Sequence, residues 1–287
     1  MNVKKVVFPV AGLGSRFLPA TKAIPKEMLP VIDKPLIHYA VQEAVDAGFS
    51  ELIFITSDTK QAIKDYFNFK PNLDISNLTQ DKKDFLSEMH KVIPDHVACE
   101  FIVQHEPLGL GHAVLQAKGA VGEEPFAVIL ADDLINSQPG VLKQMKNHYK
   151  DKDSSIIAIK KIKNGESLNY GVIEYKEESS NLFKTTNIIE KPSPENAPSD
   201  YGVVGRYIFS NKIFSFLEKI SAGVGNEIQL TDAIKLMLEK NLVYGYEFKG
   251  KRYDCGTKLG FIEANISYAL SDPDYADELK EFIKKLL

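Results

Sequence analysis

Four short apolar runs, KVVFPV at 5–10, LIFIT at 52–56, EFIVQ at 100–104 and FAVILA at 126–131, alternate with helical patterns along the first half of the chain. Runs that stay apolar without alternating suit strands covered on both faces, and helices between them predict a mostly parallel sheet. After Pro35, the residues Leu36, Ile37, Ala40, Val41, Ala44 and Val45 recur at helical spacing, with Gly48 as a stop. Further helices are expected through Ile63 and Phe67 and from about His112 to Lys118. On such sheets ligands bind beyond the carboxyl ends of the strands. Residues 11–26, residues 104–111 and the pair Asp132-Asp133 all fall at such ends, so one shared site is expected there.

The second half has shorter strands, at 155–160, 171–175, 186–190, 203–209 and 243–248, joined by loops rich in Asn, Pro, Ser and Glu. They predict a mixed extension of the sheet. Helices are expected at 229–238, 258–270 and 273–285, while the polar stretch 70–95, with one helix near 82–91, reads as an insertion. No internal repeat or linker interrupts the chain. A single α/β domain over 1–287 is expected, divided into 1–135, a β-rich half at 136–256 and terminal helices at 257–287.

Lys plus Arg is 35 against 39 for Asp plus Glu, a net charge of −4. That balance excludes a broad nucleic-acid-binding surface, yet a few cations in one pocket can still hold a phosphorylated small molecule. No apolar stretch is long enough to span a bilayer, and the short run at 6–11 lacks a cleavage pattern. Cys99 and Cys255 form no CxxC pair and read as reduced thiols of a cytoplasmic protein.

Ala11-Gly12-Leu13-Gly14-Ser15-Arg16 follows the first strand, where glycines let successive amides approach anionic oxygen. A Walker A loop is excluded, because GxxxxGK[ST] is absent. A dinucleotide fingerprint would need glycine at position 17, which is Phe17. A tight turn without ligand remains open on the glycines alone. Arg16, Lys22 and Lys26 then follow in a loop held by Pro19, Pro25 and Pro30, an arrangement that pre-organises cations for a triphosphate. Arg16 and Lys26 are the candidates for stabilising an α-phosphate and a departing pyrophosphate, and Glu27 could hydrogen-bond a base or ribose.

The segment AGLGSRFLPATKAIPKEMLPVIDKP resembles the N-terminal signature of the sugar-1-phosphate nucleotidyltransferases, with Ser15 where many members have Thr. GLGHAV, ILADD, NYGVIE, IIEKP, VVGRYIF, EIQLTDAI and KGKRYDCGTKLG extend the likeness over almost the whole chain. These segments look like the bacterial UTP–glucose-1-phosphate uridylyltransferases more than the thymidylyltransferases. The resemblance implies a Rossmann-like nucleotidyltransferase fold, nucleotide-side residues in 1–135 and sugar-side residues in 136–256. It also implies a Mg²⁺-dependent conversion of UTP and glucose 1-phosphate to UDP-glucose and pyrophosphate, and a homo-oligomer.

By the same resemblance, the Ala11 and Gly12 backbone, Glu27, Gln104 and Gly109 would surround uracil and ribose, with Leu13 and Gly14 completing the nucleotide loop. Gln104 offers both a donor and an acceptor, and Gly109 and Gly111 would let a base lie against backbone. Asp132 resembles the magnesium ligand, with Asp133 its rival: strand alternation sends adjacent side chains opposite ways. Asp254 resembles a second acid on the metal or phosphate side. Gly171, Glu190, Lys191 and the Val204 backbone match glucose phosphate contacts. His105 and His112 flank the glycine turn as bystanders. The rivals to this reading are another sugar pyrophosphorylase, a dehydrogenase disfavoured by Phe17, and a nucleotide-sugar sensor that would not need Arg16, Lys26 and Asp132 together.

Overall fold

The computed structural model describes residues 3–67, 75–89, 93–149, 151, 153–163, 165–179, 181–223 and 226–286. The first half runs β1 (Lys5–Pro9), the short ribbon β2 (Pro30–Val31) and β3 (Lys34–Pro35), α1 (Leu36–Asp46), β4 (Glu51–Thr56), α2 (Gln61–Phe67) and α3 (Gln80–Met89). Next come β5 (Ala98–Val103), α4 (Leu110–Gln116), α5 (Lys118–Val121), β6 (Phe126–Ile129), β7 (Asp133–Asn136) and α6 (Val141–His148). The second half contributes β8 (Ser155–Lys161), β9 (Gly171–Ser179), β10 (Leu182–Glu190), β11 (Tyr201–Phe209), α7 (Ile213–Leu217) and α8 (Leu230–Leu238). It closes with β12 (Val243–Glu247), β13 (Lys251–Asp254), α9 (Lys258–Ser271) and α10 (Ala276–Leu286).

Nine strands form one sheet in the order β5-β4-β1-β6-β11-β8-β12-β10-β9. The β5-β4-β1-β6 part is parallel, and β11 enters antiparallel to both β6 and β8. This is a Rossmann-like α/β architecture, with a mixed sheet core and flanking helices. Alternate residues of β1 explain why its run is unbroken. Val6 and Phe8 pack with Ile37 and Val41 of α1 and Met145 of α6, while Val7 packs on the opposite face with Val114 of α4 and Phe214 of α7. Each such fully buried side chain stabilises the fold by about 1.5–3 kcal/mol.

Several local expectations change. The helix expected from about His112 starts at Leu110, because Gly109 sits at φ 93° and opens the turn two residues earlier; α5 then takes over at Lys118. The helix expected near 82–91 is α3, which ends at Met89; positions 70 and 91 fall outside the described residues. Helices α6 and α7 had no counterpart in the sequence reading.

The larger difference lies after β6. The chain does not run straight into Asp132-Asp133 as one strand but turns, with Asp133 N–H donating to the Leu130 carbonyl at 3.2 Å, and restarts as β7. Strand β7 pairs antiparallel with β13, which sets Asp133 opposite Asp254. Helix α9 packs on this ribbon through Ala264, against Leu134, Tyr253 and Cys255. Its start is fixed by Thr257, whose hydroxyl oxygen accepts from Gly260 N–H at 3.2 Å. Among the described residues no helix is long and apolar enough to cross a membrane.

Candidate active site

A cleft of about 500 Å³ opens over the carboxyl ends of β1 and β6, and its walls include Arg16, Lys26, Asp132, Lys191, Arg252 and Asp254. A second hollow of about 580 Å³ lies beside α1 and α6. Its buried pair is already satisfied: Arg206 Nη2 meets Glu43 Oε2 at 2.8 Å, and Glu43 Oε1 accepts from Leu142 N–H at 3.0 Å. The first cleft holds the reactive groups, although the second is slightly larger.

The glycine loop begins at buried Ala11 and reaches exposed Gly12, where open space surrounds the position a Cβ would take. Gly14 sits at φ 65°, and its carbonyl accepts from Thr21 Oγ1 at 2.8 Å. A Cβ there would press on the Lys26 side chain at 3.1 Å, so glycine is required by backbone and neighbour alike. Three single 3₁₀ turns, at Ser15–Phe17, Ala20–Lys22 and Lys26–Met28, carry the cations; Leu13 at the loop tip is exposed.

Lys26 Nζ donates to Asp132 Oδ2 at 2.6 Å. Burial would raise the Asp132 pKa, but the Lys26 charge and hydrogen bond outweigh it and hold the carboxyl below its ordinary value. Burial likewise opposes the Lys26 charge, and Asp132 and Glu27 overcome it, leaving the ammonium above its ordinary value. Gly256 marks where the other groups meet. A Cβ on it would lie 3.0 Å from Asp254 Oδ1, 3.2 Å from Asp132 Oδ2 and 3.7 Å from Arg16 Nη1. The β7–β13 ribbon therefore brings Asp254 to Asp132. Burial raises the Asp254 pKa, the carboxylates of Asp133 and Asp132 push the same way, and Arg252 offsets part of the shift.

Asp133 also lines the cleft, opposite Asp254, but both of its oxygens are taken by protein. Arg252 Nε donates to its Oδ1 at 2.7 Å, Arg252 Nη2 reaches the same oxygen, and Gly205 N–H donates to Oδ2 at 2.6 Å. The separation from Asp132 thus arises from a turn and two bonded oxygens, replacing the strand alternation expected from sequence. Glu27 turns inward. It is 2% exposed and accepts from Lys60 Nζ at 2.7 Å. Burial pushes the Glu27 carboxyl up and the Lys60 ammonium down.

On the far wall, Thr231 Oγ1 donates to Glu190 Oε2 at 2.6 Å, and both stand 3.3 Å from the position a Cβ on Gly171 would take. Lys191 Nζ is 3.5 Å from Glu190 Oε1, and Lys191 itself has φ 45°, a strained backbone for a non-glycine residue. Val204 is buried beside them in β11.

Gln104 follows β5 and is buried; it and Gly109 stand outside the walls of the cleft proper. On their Cβ sides, Gly109 and Gly111 lie against protein. A Cβ on Gly111 would meet Ile228 O at 2.6 Å, and one on Gly109 would meet Glu227 Cβ at 2.8 Å. These glycines let the turn dock on protein, with Gly111 N–H donating to Ile228 O and Ile228 N–H to Leu108 O, both at 2.8 Å. His112 is also no bystander: its Nδ1 lies 2.8 Å from Gln104 Nε2. Sequence reasoning missed this contact along with Lys60, Arg252 and Thr231. Arg252 and Thr231 lie inside KGKRYDCGTKLG and EIQLTDAI, so their segments carried a signal, whereas Lys60 carried none.

With this geometry in place, residues 5–270 match the nucleotidyl transferase family model, and the chain belongs to that family. It is 44% identical over 286 residues to the UTP–glucose-1-phosphate uridylyltransferase of Bacillus subtilis strain 168, covering 100% of this chain and 98% of that protein. Among solved structures, a UTP-bound UGPase from Acinetobacter baumannii matches with a TM-score of 0.89 and 39% identity over 100% of both chains. A UDP-glucose pyrophosphorylase complexed with UDP-glucose matches with a TM-score of 0.87 and 42% identity, over 94% of this chain and 100% of that one. A putative glucose-1-phosphate thymidylyltransferase from Bacillus anthracis, at 22% identity and a TM-score of 0.71, shares the fold.

Proposed function

We infer that the chain is an enzyme that transfers a uridylyl group from UTP to glucose 1-phosphate, giving UDP-glucose and pyrophosphate. The observation that carries the reading is the junction at Gly256, where Arg16, Asp132 and Asp254 converge beside Lys26. A phosphate of glucose 1-phosphate is ionised at neutral pH, so the reaction needs no general base. Alignment and neutralisation of charge are what the residues must supply.

Each group has a role in that scheme. The Gly12–Gly14 loop meets the triphosphate with backbone N–H groups. Arg16 and Lys26 stabilise charge on the α-phosphate and on the departing pyrophosphate. Glu190, held by Thr231, accepts sugar hydroxyls, while Lys191 and the Val204 backbone position the sugar phosphate. Ala11 and Gln104 serve the base. Glu27, sealed against Lys60, acts by fixing the Lys26 turn from behind. The halves 1–135 and 136–256 work as one catalytic unit, because the cleft draws walls from both.

Asp132 and Asp254 would hold Mg²⁺. The donor set fits, since this ion takes one or two carboxylates together with phosphate oxygens and water. Burial raises the Asp254 pKa most, and the neighbouring carboxylates of Asp133 and Asp132 add to it, a crowding of negative charge that a cation relieves. When bound, the ion neutralises phosphate oxygens. A homo-oligomer is supported by Leu259, Ile262 and Ile266, exposed along α9, and by Phe282 and Leu286, exposed on α10.

Pyrophosphate release, measured across the four nucleoside triphosphates with and without glucose 1-phosphate and Mg²⁺, tests the reading. Release is expected only with UTP, glucose 1-phosphate and Mg²⁺ together. Faster turnover with dTTP would move the chain to the thymidylyl branch, and no release at all would leave a nucleotide-sugar sensor.

A further inference from the structure

Arg252 joins two parts of the cleft that the reaction scheme above treats separately. It stands two residues before Asp254 in β13, so both side chains leave the ribbon on one face, and both line the cleft. Its guanidinium acts as a fork. Nε and Nη2 donate to Asp133 Oδ1, while Nη1 donates to Tyr170 Oη at 2.6 Å. The guanidinium carbon also lies 5.2 Å from the centre of the Tyr170 ring. Pairing with Asp133 occupies one edge of the fork. The remaining arm reaches from the acidic junction to the wall that carries the sugar-side groups.

Tyr170 is clamped elsewhere as well. Its ring lies against Gly202, where a Cβ would approach Tyr170 Cγ at 3.0 Å. Its N–H donates to Ser167 O at 3.1 Å, and Ser167 Oγ donates to Pro192 O at 2.9 Å. Its carbonyl accepts from Lys191 N–H at 2.9 Å. Lys191, at φ 45°, has a backbone that persists only where its surroundings hold it. The next residue, Gly171, sits opposite Glu190 in the β9–β10 pairing. Asp254, Arg252, Tyr170 and Lys191 therefore form a continuous chain, from an acid of the junction to the cation of the sugar wall. Transfer between two bound phosphates depends on their spacing, and a misplacement of about 1 Å can cost about 10²-fold in rate.

We propose that Tyr170 is a positioning residue: its hydroxyl, held by Arg252, sets the distance between the acidic junction at Asp254 and the sugar-phosphate groups at Glu190 and Lys191. This rests on the uridylyl-transfer reading and adds the part that keeps the two substrates in register.

The experiment measures initial rates of pyrophosphate release in the wild type, Tyr170→Phe, Arg252→Lys and the double variant. Each substrate is varied in turn, using the nucleoside triphosphate and sugar phosphate that the wild type turns over best. Tyr170→Phe keeps the ring on Gly202 and removes only the hydroxyl that meets Arg252. It is expected to lower kcat/KM for the sugar phosphate about tenfold and to leave KM for the triphosphate within about twofold. Arg252→Lys keeps a cation for Asp133, but one ammonium lacks the fork, so the same selective loss is expected. The double variant should lose no more than either single one, since both changes cut one link. A role in packing alone would move both KM values together or neither. Equal losses for the two substrates, losses that multiply in the double variant, or wild-type kcat/KM in Tyr170→Phe overturns the proposal. Tyr170→Phe decides by its substrate split alone if Arg252→Lys does not fold. A wild type that releases no pyrophosphate from any such pair sinks the transfer reading before Tyr170 is in question.

Discussion

At two places the chain sets charged residues side by side and gives them different partners. At Lys26-Glu27, Lys26 enters the cleft and Glu27 is sealed against Lys60. At Asp132-Asp133, both line the cleft, but Asp132 meets Lys26 while the two oxygens of Asp133 are held by Arg252 and Gly205. Lys26 and Asp132 lie 2.6 Å apart. Glu27 and Asp133 hold the backbone in place, while Lys26 and Asp132 remain available to a ligand that can take over their partner. Within one dipeptide, then, adjacent charges divide into a frame and a working group.

The strongest way to break this division is Asp132→Asn. It is expected to lower kcat by about 10²–10³ or more, on the scale of losing one preorganised electrostatic group. Because the Asp132 pair borders the solvent-filled cleft, the unfolding midpoint should move by no more than about a degree or two. Activity near wild type in a steady-state assay would transfer the metal role to Asp133. Asp133→Asn should do the reverse first: Arg252 loses its buried anion, and urea denaturation should report a loss of about 3–5 kcal/mol. A variant as stable as wild type would show that the sealed member is not part of the frame.

The smallest effect concerns pH. The Asp132 carboxyl is held below its ordinary value of 3.8, so its contribution to stability is fully present above that value and is lost as pH falls through the depressed folded-state value. The slight difference in melting temperature between wild type and Asp132→Asn should therefore close in acid, as followed by calorimetry from neutral pH downward. A difference that widens in acid would contradict the sign of the shift.

These adjacent pairs also show what was legible in the sequence. That Arg16, Lys26 and Asp132 would share one cleft was legible because the loop and the strand end that carry them are local, and their glycine, proline and apolar spacing survives in one dimension. The parallel sheet was legible for the same reason. Asp132 stands out by resemblance alone, because it lies in the turn before β7, where strand alternation does not operate. Strand β13 is four residues long and pairs with a segment more than a hundred positions earlier, so no local pattern announced it. Helix α6 shows a periodic apolar face, Val141, Leu142 and Met145, in a stretch of only eight residues. The contacts of Glu27 with Lys60 and of Gln104 with His112 depend on how separate loops pack, and such proximity is not written in either loop alone.

The β7–β13 ribbon has a consequence for how the protein is made. Asp254 reaches Asp132 only when β13 has paired with β7, and α9 then packs on that ribbon. A ribosome-bound chain still lacking β13 already contains the glycine loop, both cations and Asp132, yet it has half of the acidic junction. The proposed site is therefore complete only late in synthesis, after the parallel strands have had time to assemble, and the glycine loop can fold well before the acidic junction closes.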